Sequence, residues 1–208
     1  MPLGLKINSE NKRHSRYVSG KSWNKLITKK ETLVVDVRKP FEFNVGTFKK
    51  AINPNIQNFR DFPKFLSKIE KNKPVAMFCT GGIRCEKSTK YLLKEGVENV
   101  YHLKGGILNY LKTQENKKSF WNGECFVFDQ RVSVDGNLNK GKSILCFACR
   151  EPLEPKDVKN PKYEEGVSCP QCYDRSNDFK KNNFRERQKQ IRLALERGET
   201  HLKMLYNE

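Results

Sequence analysis

The chain has 208 residues, of which 36% are hydrophobic and 31% charged, with seven cysteines and a formal net charge of +17. This length suits one full domain with a small appendage, and the composition, although polar, is compatible with a folded core. No apolar run approaches the ~20 residues that a membrane span needs, and no signal-peptide core is visible at the N-terminus. We therefore predict a cytoplasmic protein without membrane contact, whose cysteines serve catalysis or metal binding rather than disulfides.

The positive charge is concentrated in the first third of the chain. Residues 1–74 carry 17 Lys and Arg against 6 Asp and Glu, whereas residues 146–208 carry 13 against 11. A basic face for a polyanion such as RNA explains this excess. A lysine-rich proteome explains it equally well, and composition alone does not separate the two explanations.

In chain order, the pattern alternates between strands and helices. Residues 1–16 are polar and are predicted to be a disordered or linking segment. Helices are predicted around Trp23, after a cap at Asp61, from Arg84 to Gly96, and from Gly106. This alternation predicts an α/β fold with a parallel sheet flanked by helices. Strands are predicted at residues 17–18, 32–37, 75–78 and 100–103, and a loop with a short extended segment is predicted at residues 40–54.

The most informative stretch is residues 79–87, which join a predicted buried strand to a helix. Two adjacent glycines allow a sharp turn whose N–H groups point inward, and the helix start adds a positive dipole end beside Arg84 and Lys87. A thiol at Cys79 should therefore have a lowered pKa and be a thiolate at neutral pH. The alternative is a buried structural cysteine. A cysteine-phosphatase loop is longer between its cysteine and arginine, and a Walker A loop needs glycine rather than glutamate before its lysine, so neither fits.

Six short motifs carry a resemblance to a known family. They are Val-Asp-Val-Arg at residues 35–38, Gly-Thr-Phe at 46–48, Ala-Ile-Asn-Pro at 51–54, and the longer stretches 79–87, 101–107 and 123–129. In this order they resemble the rhodanese-containing tRNA uridine hydroxylase family, over roughly residues 17–172. The resemblance implies a rhodanese-like fold and an enzyme that uses molecular oxygen to make 5-hydroxyuridine at the wobble position, with tRNA as its partner.

The same resemblance implies the site residues. Cys79 matches the active-site cysteine, and the residues after it match the loop that cradles a persulfide sulfur in rhodanese domains. Cys85 and Lys87 continue the motif and are expected to support the loop. The matching loop residues are Thr80, Gly81, Gly82, Ile83 and Arg84.

The chain also differs in one respect from the family that it resembles. Family members carry an additional N-terminal α/β domain before the rhodanese unit, and this chain begins where their linker would be. We therefore expect activity to be reduced or lost if that domain grips tRNA, or else the natural start to lie upstream.

Further candidate site residues lie outside the loop. Asp36 and Arg38 follow a buried strand at its carboxyl end, where open α/β sheets carry functional groups, although an ion pair that holds the loop explains them equally well. Cys125 is expected to be a small buried residue or a second, resolving thiol at the Cys79 pocket. The aromatic side chains around it are expected to pack back onto the domain; these are Trp121, Phe126 and Phe128.

Two Cys-x-x-Cys pairs follow, Cys146 with Cys149 and Cys169 with Cys172, with 19 residues between them. Each pair can chelate a metal through a turn, and two such turns give a tetrahedral thiolate site of the kind that binds structural zinc. Four reduced cysteines without a metal are the alternative. Residues 180–198 are predicted to form a charged amphipathic helix. We therefore expect a linker at 1–16, a rhodanese-like domain at 17–118, a cysteine-rich extension at 119–178 and a helical tail at 179–208.

Three functions remain compatible with the residues. The first is the tRNA uridine hydroxylase, and the second is a thiosulfate-type sulfurtransferase that carries a persulfide on Cys79. The third is an inactive, zinc-stabilised fragment that binds RNA or protein. No flavin, haem or non-haem iron signature accompanies the cysteines. The three histidines, His14, His102 and His201, are far apart in the sequence and lack the spacing of a facial-triad iron site.

Overall fold

The computed structural model describes residues 15–113 and 119–199. The predictions for residues 1–14, for the end of the rhodanese-like domain at 114–118 and for the end of the tail at 200–208 lie outside these ranges. The described residues divide into two compact units. The first unit comprises residues 15–113, 119–126 and 134–139, and the second comprises residues 127–133 and 140–199.

Ten short strands and five α-helices make up the described chain. The strands are β1 (Arg16–Val18), β2 (Leu33–Asp36), β3 (Gly46–Phe48), β4 (Val75–Phe78), β5 (Val100–Leu103), β6 (Trp121–Gly123), β7 (Cys125–Phe126), β8 (Ser133–Val134), β9 (Ile144–Leu145) and β10 (Pro152–Leu153). The helices are α1 (Gly20–Thr28), α2 (Pro40–Val45), α3 (Ile83–Lys94), α4 (Gly106–Thr113) and α5 (Asp178–Glu196), with 3-10 segments at Phe59–Lys68 and Asp157–Lys159.

A four-stranded parallel sheet forms the centre of the first unit. Its strand order is β1-β5-β4-β2, and Val35 of β2 lies opposite Met77 of β4, which lies opposite His102 of β5. Every residue of β4 is buried, which is why its sequence is an unbroken apolar run. The parallel α/β fold that the alternating pattern predicted is confirmed.

Two groups of buried side chains flank this sheet. One is aliphatic and includes Val35, Met77 and Leu92. The other is aromatic, with edge-to-face contacts that centre on Phe48 and include four further rings, Trp23, Phe78, Tyr110 and Trp121. Edge-to-face rings add stabilisation beyond the area they bury, so these contacts hold β3 and β6 firmly against the unit.

Three local predictions were wrong. Residues 40–45 form α2 rather than a loop, because Pro40 suits the first helical turn and the Glu42 carboxylate accepts the Lys39 N–H. The segment predicted as a helix capped by Asp61 is the 3-10 helix that follows Asn58, since Pro63 inside it cannot donate a backbone hydrogen bond. Trp121 and Phe126 are buried as expected, but Phe128 is 69% exposed.

The second unit holds the cysteine pairs and the long helix. β9 and β10 pair antiparallel, and Leu153 packs with three of the four cysteines. α5 begins after Asn177, whose side chain accepts the Lys180 N–H, close to the start that the sequence predicted. Among the described residues, no helix combines the length and apolarity that crossing a membrane requires.

Candidate active site and cysteine cluster

The loop from Cys79 to Arg84 leaves the carboxyl end of β4 and enters α3. Gly82 precedes the helix with φ of +92°, a left-handed conformation that L side chains rarely adopt. Its N–H points back to the Cys79 sulfur at 3.1 Å. Of the loop side chains, Ile83 is 67% exposed, whereas those of Cys79 and Arg84 are buried. The loop is therefore a turn that encloses one sulfur.

The contacts of Cys79 favour its ionised form. The largest contribution is a hydrogen bond from the Cys85 thiol, in the first turn of α3; burial opposes it, and the backbone N–H groups of Cys85 and Arg84 and the Arg84 charge assist it. Together they lower the pKa of Cys79 to about 6. The pKa of Cys85 is correspondingly raised, first by its own burial and then by Cys79. The sequence predicted a lowered pKa from the loop N–H groups, the helix start, Arg84 and Lys87, but the largest contribution comes from the neighbouring thiol of Cys85.

Sequence reasoning missed Glu42, which holds the loop arginine. Both Glu42 oxygens accept hydrogen bonds from Arg84, at 2.7 and 2.8 Å, and Glu42 is fully buried. The Thr80 hydroxyl lies 3.4 Å from the same carboxylate. A fork-to-fork pair of this kind fixes the guanidinium in one orientation. The available signal was the Pro-x-Glu spacing after Lys39, which marks a helix start.

The start of α4 supports the loop through its backbone. Ile107 N–H donates to the Cys79 carbonyl at 3.0 Å, and Leu108 N–H donates to the Thr80 carbonyl at 3.2 Å. Gly106 has φ of +68°, and a Cβ there would lie 2.5 Å from the Cys79 oxygen. Only glycine permits so close an approach, so the Gly105–Gly106 pair at the start of α4 is part of the site.

Asp36 and Arg38 form a buried ion pair at the end of β2. Arg38 donates to the two Asp36 oxygens at 2.9 and 2.6 Å, and both side chains are fully buried. Thr47 donates to Asp36, and the Asn53 amide donates to the Asp36 and Arg38 carbonyls. The pair and its hydrogen bonds therefore link the end of β2 to the segments that carry Thr47 and Asn53. This arrangement favours the structural explanation of the pair over a catalytic one.

Cys125 and Lys87 differ in how deeply they are buried. Cys125 is fully buried, and burial raises its pKa to about 12 although the Arg38 charge opposes this. A thiol with so high a pKa is protonated at neutral pH and is a poor nucleophile. Lys87 lies half-buried in the first turns of α3.

A cavity of about 600 Å³ adjoins the loop in the first unit. Arg84 and Arg38 line one part of it, and the start of the 3-10 helix, with Phe59 and Arg60, lines another. Lys39 and Arg60 are exposed, and Asp61 is an acidic residue of the lining. The volume is within the range of small-ligand sites, and the excess of cations suits an anionic ligand.

The four cysteines of the second unit converge. The sulfurs of Cys146, Cys149, Cys169 and Cys172 all lie within 4.8 Å of one another. Two of the separations are 3.7 Å (Cys149 to Cys169) and 3.5 Å (Cys169 to Cys172). A tetrahedral ion with metal–sulfur bonds of about 2.3 Å separates its sulfurs by about 3.8 Å. The cluster therefore has the donor set and spacing to hold a metal ion; we call residues 144–175, which contain it, the four-cysteine module.

Comparison with known proteins agrees with the fold and the loop. Residues 20–113 match the rhodanese-like domain. A rhodanese-related protein from Thermoplasma volcanium is 26% identical, with a TM-score of 0.42, and the match covers 50% of this chain and 95% of that one. A rhodanese-like domain protein from Staphylococcus aureus is 27% identical, with a TM-score of 0.40, and the match covers 46% and 90% respectively. The family match over residues 20–113, together with the parallel sheet and the cysteine loop, defines a protein that contains a rhodanese-like domain.

A longer match identifies the family. The tRNA uridine(34) hydroxylase of Pelagibacter ubique (strain HTCC1062) is 57% identical over 202 residues, which cover 97% of this chain and 67% of that enzyme. The chain belongs to the tRNA uridine(34) hydroxylase family, and it spans about two thirds of the length of this relative.

Proposed function

We propose that this protein hydroxylates uridine 34 of tRNA to 5-hydroxyuridine, with Cys79 as the catalytic thiolate. The observation that carries the proposal is the 57% identity to the Pelagibacter ubique enzyme over nearly the whole chain. The Cys79 environment supports it, since a pKa of about 6 leaves this thiol ionised at neutral pH. The thiolate is the nucleophilic form of cysteine.

The surrounding residues have supporting roles in this proposal. Residues 80–84 enclose the sulfur, Cys85 stabilises its charge, and Glu42 orients Arg84. The Asp36–Arg38 pair holds the neighbouring loop. Supporting positions are also proposed for Lys87, in the first turns of α3, and for Cys125, a buried, protonated thiol.

The cavity beside the loop is the proposed site for the tRNA nucleotide. Its volume of about 600 Å³ accommodates one nucleotide. Lys39 and Arg60 are exposed cations on its lining, and cations neutralise phosphate in nucleic-acid complexes. Phe59, which is half-buried at the cavity, presents an aromatic surface near which a base can stack.

The direct test uses the full chain with an unmodified tRNA transcript in air. We expect mass spectrometry of the digested nucleosides to detect 5-hydroxyuridine with the wild type and none with Cys79→Ser. A transcript with cytidine at position 34 and an oxygen-free sample are the controls. If the wild type forms no 5-hydroxyuridine, and a strain lacking the gene keeps normal levels of it, the proposal is wrong.

A sulfurtransferase is the second candidate, and one observation favours it. The Gly82 N–H lies 3.1 Å from the Cys79 sulfur, in a loop that would equally cradle a persulfide. The Cys79 thiolate should then take the outer sulfur of thiosulfate to form a persulfide and release sulfite, and cyanide should remove that sulfur as thiocyanate and restore the thiolate. Thiocyanate without 5-hydroxyuridine would favour this activity. RNA binding with neither product would favour a non-catalytic binding protein.

We further propose that the four-cysteine module holds one structural zinc ion. Four thiolates at these spacings are a donor set that zinc prefers, and each Cys-x-x-Cys turn supplies two of them. The tRNA substrate is consistent with a cytoplasmic location, for which fractionation with a tagged chain is the test.

A further inference from the structure

A groove of about 680 Å³ lies in the second unit, between the four-cysteine module and α5. Five cationic and three acidic side chains line it, together with apolar ones such as Phe147. The function proposed above makes no use of this groove. The composition gives no sign of these charges, because residues 146–208 carry almost equal numbers of basic and acidic residues, 13 against 11.

Two arginines meet at Phe147 on the wall of this groove. Arg187 donates to the Phe147 carbonyl at 3.3 Å and to the Gly166 carbonyl at 2.5 Å. The Arg150 guanidinium lies 5.9 Å from the centre of the Phe147 ring. Within residues 15–113 and 119–199, neither guanidinium forms an ion pair with a carboxylate. The two guanidinium groups therefore place two positive charges beside one aromatic residue.

The backbone at Arg150 adds an independent observation. Arg150 follows the Cys146–Cys149 turn, and its N–H donates to the Cys146 carbonyl at 2.8 Å. Its φ of +65° is left-handed, a conformation in which glycine is unstrained and arginine is not. Arg150 shares this left-handed φ with four other non-glycine residues of the described ranges, and its side chain lies on the groove.

One of the three acidic side chains of the groove is neutralised by one of the groove's own cations. Glu164 forms a two-point pair with Arg185, at 2.8 and 2.6 Å, and Glu186 accepts from the Gln190 amide at 2.7 Å. Glu165 is exposed and opposes an anion. Four cations, Arg150, Arg187, Lys189 and Arg192, remain against two carboxylates, because the neutral Gln190 amide does not cancel the charge of Glu186.

We propose that this groove binds the phosphodiester backbone of single-stranded RNA, with Arg150 and Arg187 on a phosphate and Phe147 beneath a base. Guanidinium forks match phosphate oxygens, and aromatic rings stack on bases of any sequence. Phe147 is 38% exposed, which leaves its ring open to such a contact. An acidic peptide would use the charges but not the exposed ring, so the mixed lining favours RNA. That the RNA is tRNA rests on the proposed function.

The test is RNA binding by the full chain, measured by fluorescence anisotropy with a labelled single-stranded oligoribonucleotide and with tRNA. Arg150→Gly removes the charge and relieves the backbone strain at once, so the fold and the metal content should be retained. We expect roughly tenfold weaker binding and a salt dependence shallower by about one phosphate contact. Arg150→Lys should lose less, because it keeps the charge without the fork. The matched control is Arg197→Gln, which changes an exposed arginine at the C-terminal end of α5, outside the groove lining.

Several outcomes would overturn the inference. They are unchanged binding by Arg150→Gly, an equal loss in Arg197→Gln, no RNA binding by the wild type, or equal competition by polyglutamate. If the glycine variant loses its metal, Arg192→Gln takes its place, with the same expected direction. A parallel assay separates this inference from the proposed function. Hydroxylation without Arg150-dependent binding rejects only the groove, and Arg150-dependent binding without 5-hydroxyuridine rejects only the hydroxylase.

Discussion

The chemistry of Cys79 depends on its immediate contacts rather than on free charges nearby. The Cys85 thiol and the loop N–H groups surround the sulfur, while Arg84 is largely engaged by Glu42. Hydrogen bonds to the charged form of a group lower the pKa of an acid, and in a buried site they act without competition from water. Cys85 therefore makes the largest contribution to the ionisation of Cys79, and Glu42 orients the arginine beside it.

The first prediction concerns the ionisation of Cys79. Because its pKa is lowered to about 6, the thiolate should form as the pH rises through that value, against ~8.5 for a free thiol. Ultraviolet thiolate absorbance of the wild type minus Cys79→Ser measures it. Cys85→Ala removes the donor to the thiolate, so the pKa should rise, whereas Cys85→Ser keeps a donor and should shift it less. An unchanged pKa in Cys85→Ala would contradict this explanation.

The second prediction concerns the buried pair of Glu42 and Arg84. Glu42→Gln leaves the buried guanidinium without a counter-charge, which should lower the free energy of unfolding by about 3–5 kcal/mol. Urea denaturation measures this change. Glu98→Gln, at an exposed position, should change it by less than ~0.5 kcal/mol. Equal stabilities for the two variants would show that the pair contributes nothing.

At the scale of elements, the site is assembled where four of them meet. β4 leads directly into Cys79, α2 carries Glu42, α3 carries Arg84 and Cys85, and the start of α4 holds the Cys79 and Thr80 carbonyls. The carboxyl ends of parallel strands are where open α/β sheets carry their sites, so this arrangement follows from the sheet. The four-cysteine module is a separate element. We expect its conformation to depend on the four cysteines, whose sulfurs lie within 4.8 Å of one another.

The third prediction tests the support from α4. Gly106→Ala would introduce a Cβ within 2.5 Å of the Cys79 carbonyl oxygen at a left-handed backbone position. We expect the loop to shift and the product yield to fall by roughly a hundredfold, as misplacement by about 1 Å does in other sites. Gly136→Ala, where a Cβ meets nothing within 4 Å, is the control. Full activity in Gly106→Ala would show that the loop does not need this support.

The fourth prediction concerns the metal. The purified chain should contain about one zinc ion, and Cys169→Ser should remove it, because three thiolates bind the ion less tightly than four. Metal analysis together with limited proteolysis would detect this loss and new cleavage within residues 144–175. Gln171→Ala, in the same turn but without a ligand atom for the site, should keep the metal. Metal-free wild type with the same proteolysis pattern would count against zinc.

For the whole molecule, charge is the property through which the proposed binding of tRNA can be tested. The first 74 residues hold most of the surplus, 17 Lys and Arg against 6 Asp and Glu, and Lys39 and Arg60 are exposed at the cavity beside the loop. If the surplus charge is spread over the surface, the affinity for tRNA should not depend on which cations are neutralised. If the charge is focused on a site, the affinity should depend on the particular cations of that site.

The fifth prediction distinguishes these cases. Affinity for tRNA should fall as salt rises, because each phosphate contact releases counter-ions. Neutralising Lys39 and Arg60 together (Lys39→Gln, Arg60→Gln) should flatten the slope of log K against log salt by about 1.4–1.8, for two contacts. Lys29→Gln with Lys30→Gln removes the same charge at exposed positions outside the cavity lining. Equal effects of both pairs would mean that the lysine surplus reflects only the proteome.

The four-part division of the chain stays a prediction at this scale. Its expected boundaries lie at residues 16, 118 and 178, and limited proteolysis should cut first near them if each part folds as a body. Protection across residue 118 with cleavage elsewhere would contradict it.

The sequence by itself determined the strands of the sheet, the cysteine loop and the spacing of the two cysteine pairs. Each is a local property, because apolar runs, glycine pairs and Cys-x-x-Cys turns act over a few residues. Only the tertiary structure joined Glu42 to Arg84, 42 positions away, and brought Gly106 against Cys79. It also sorted the nearly balanced charges of the last third into a groove with Arg150 and Arg187 on one wall. Such contacts depend on the order of strands and the faces of helices, and no local pattern encodes either.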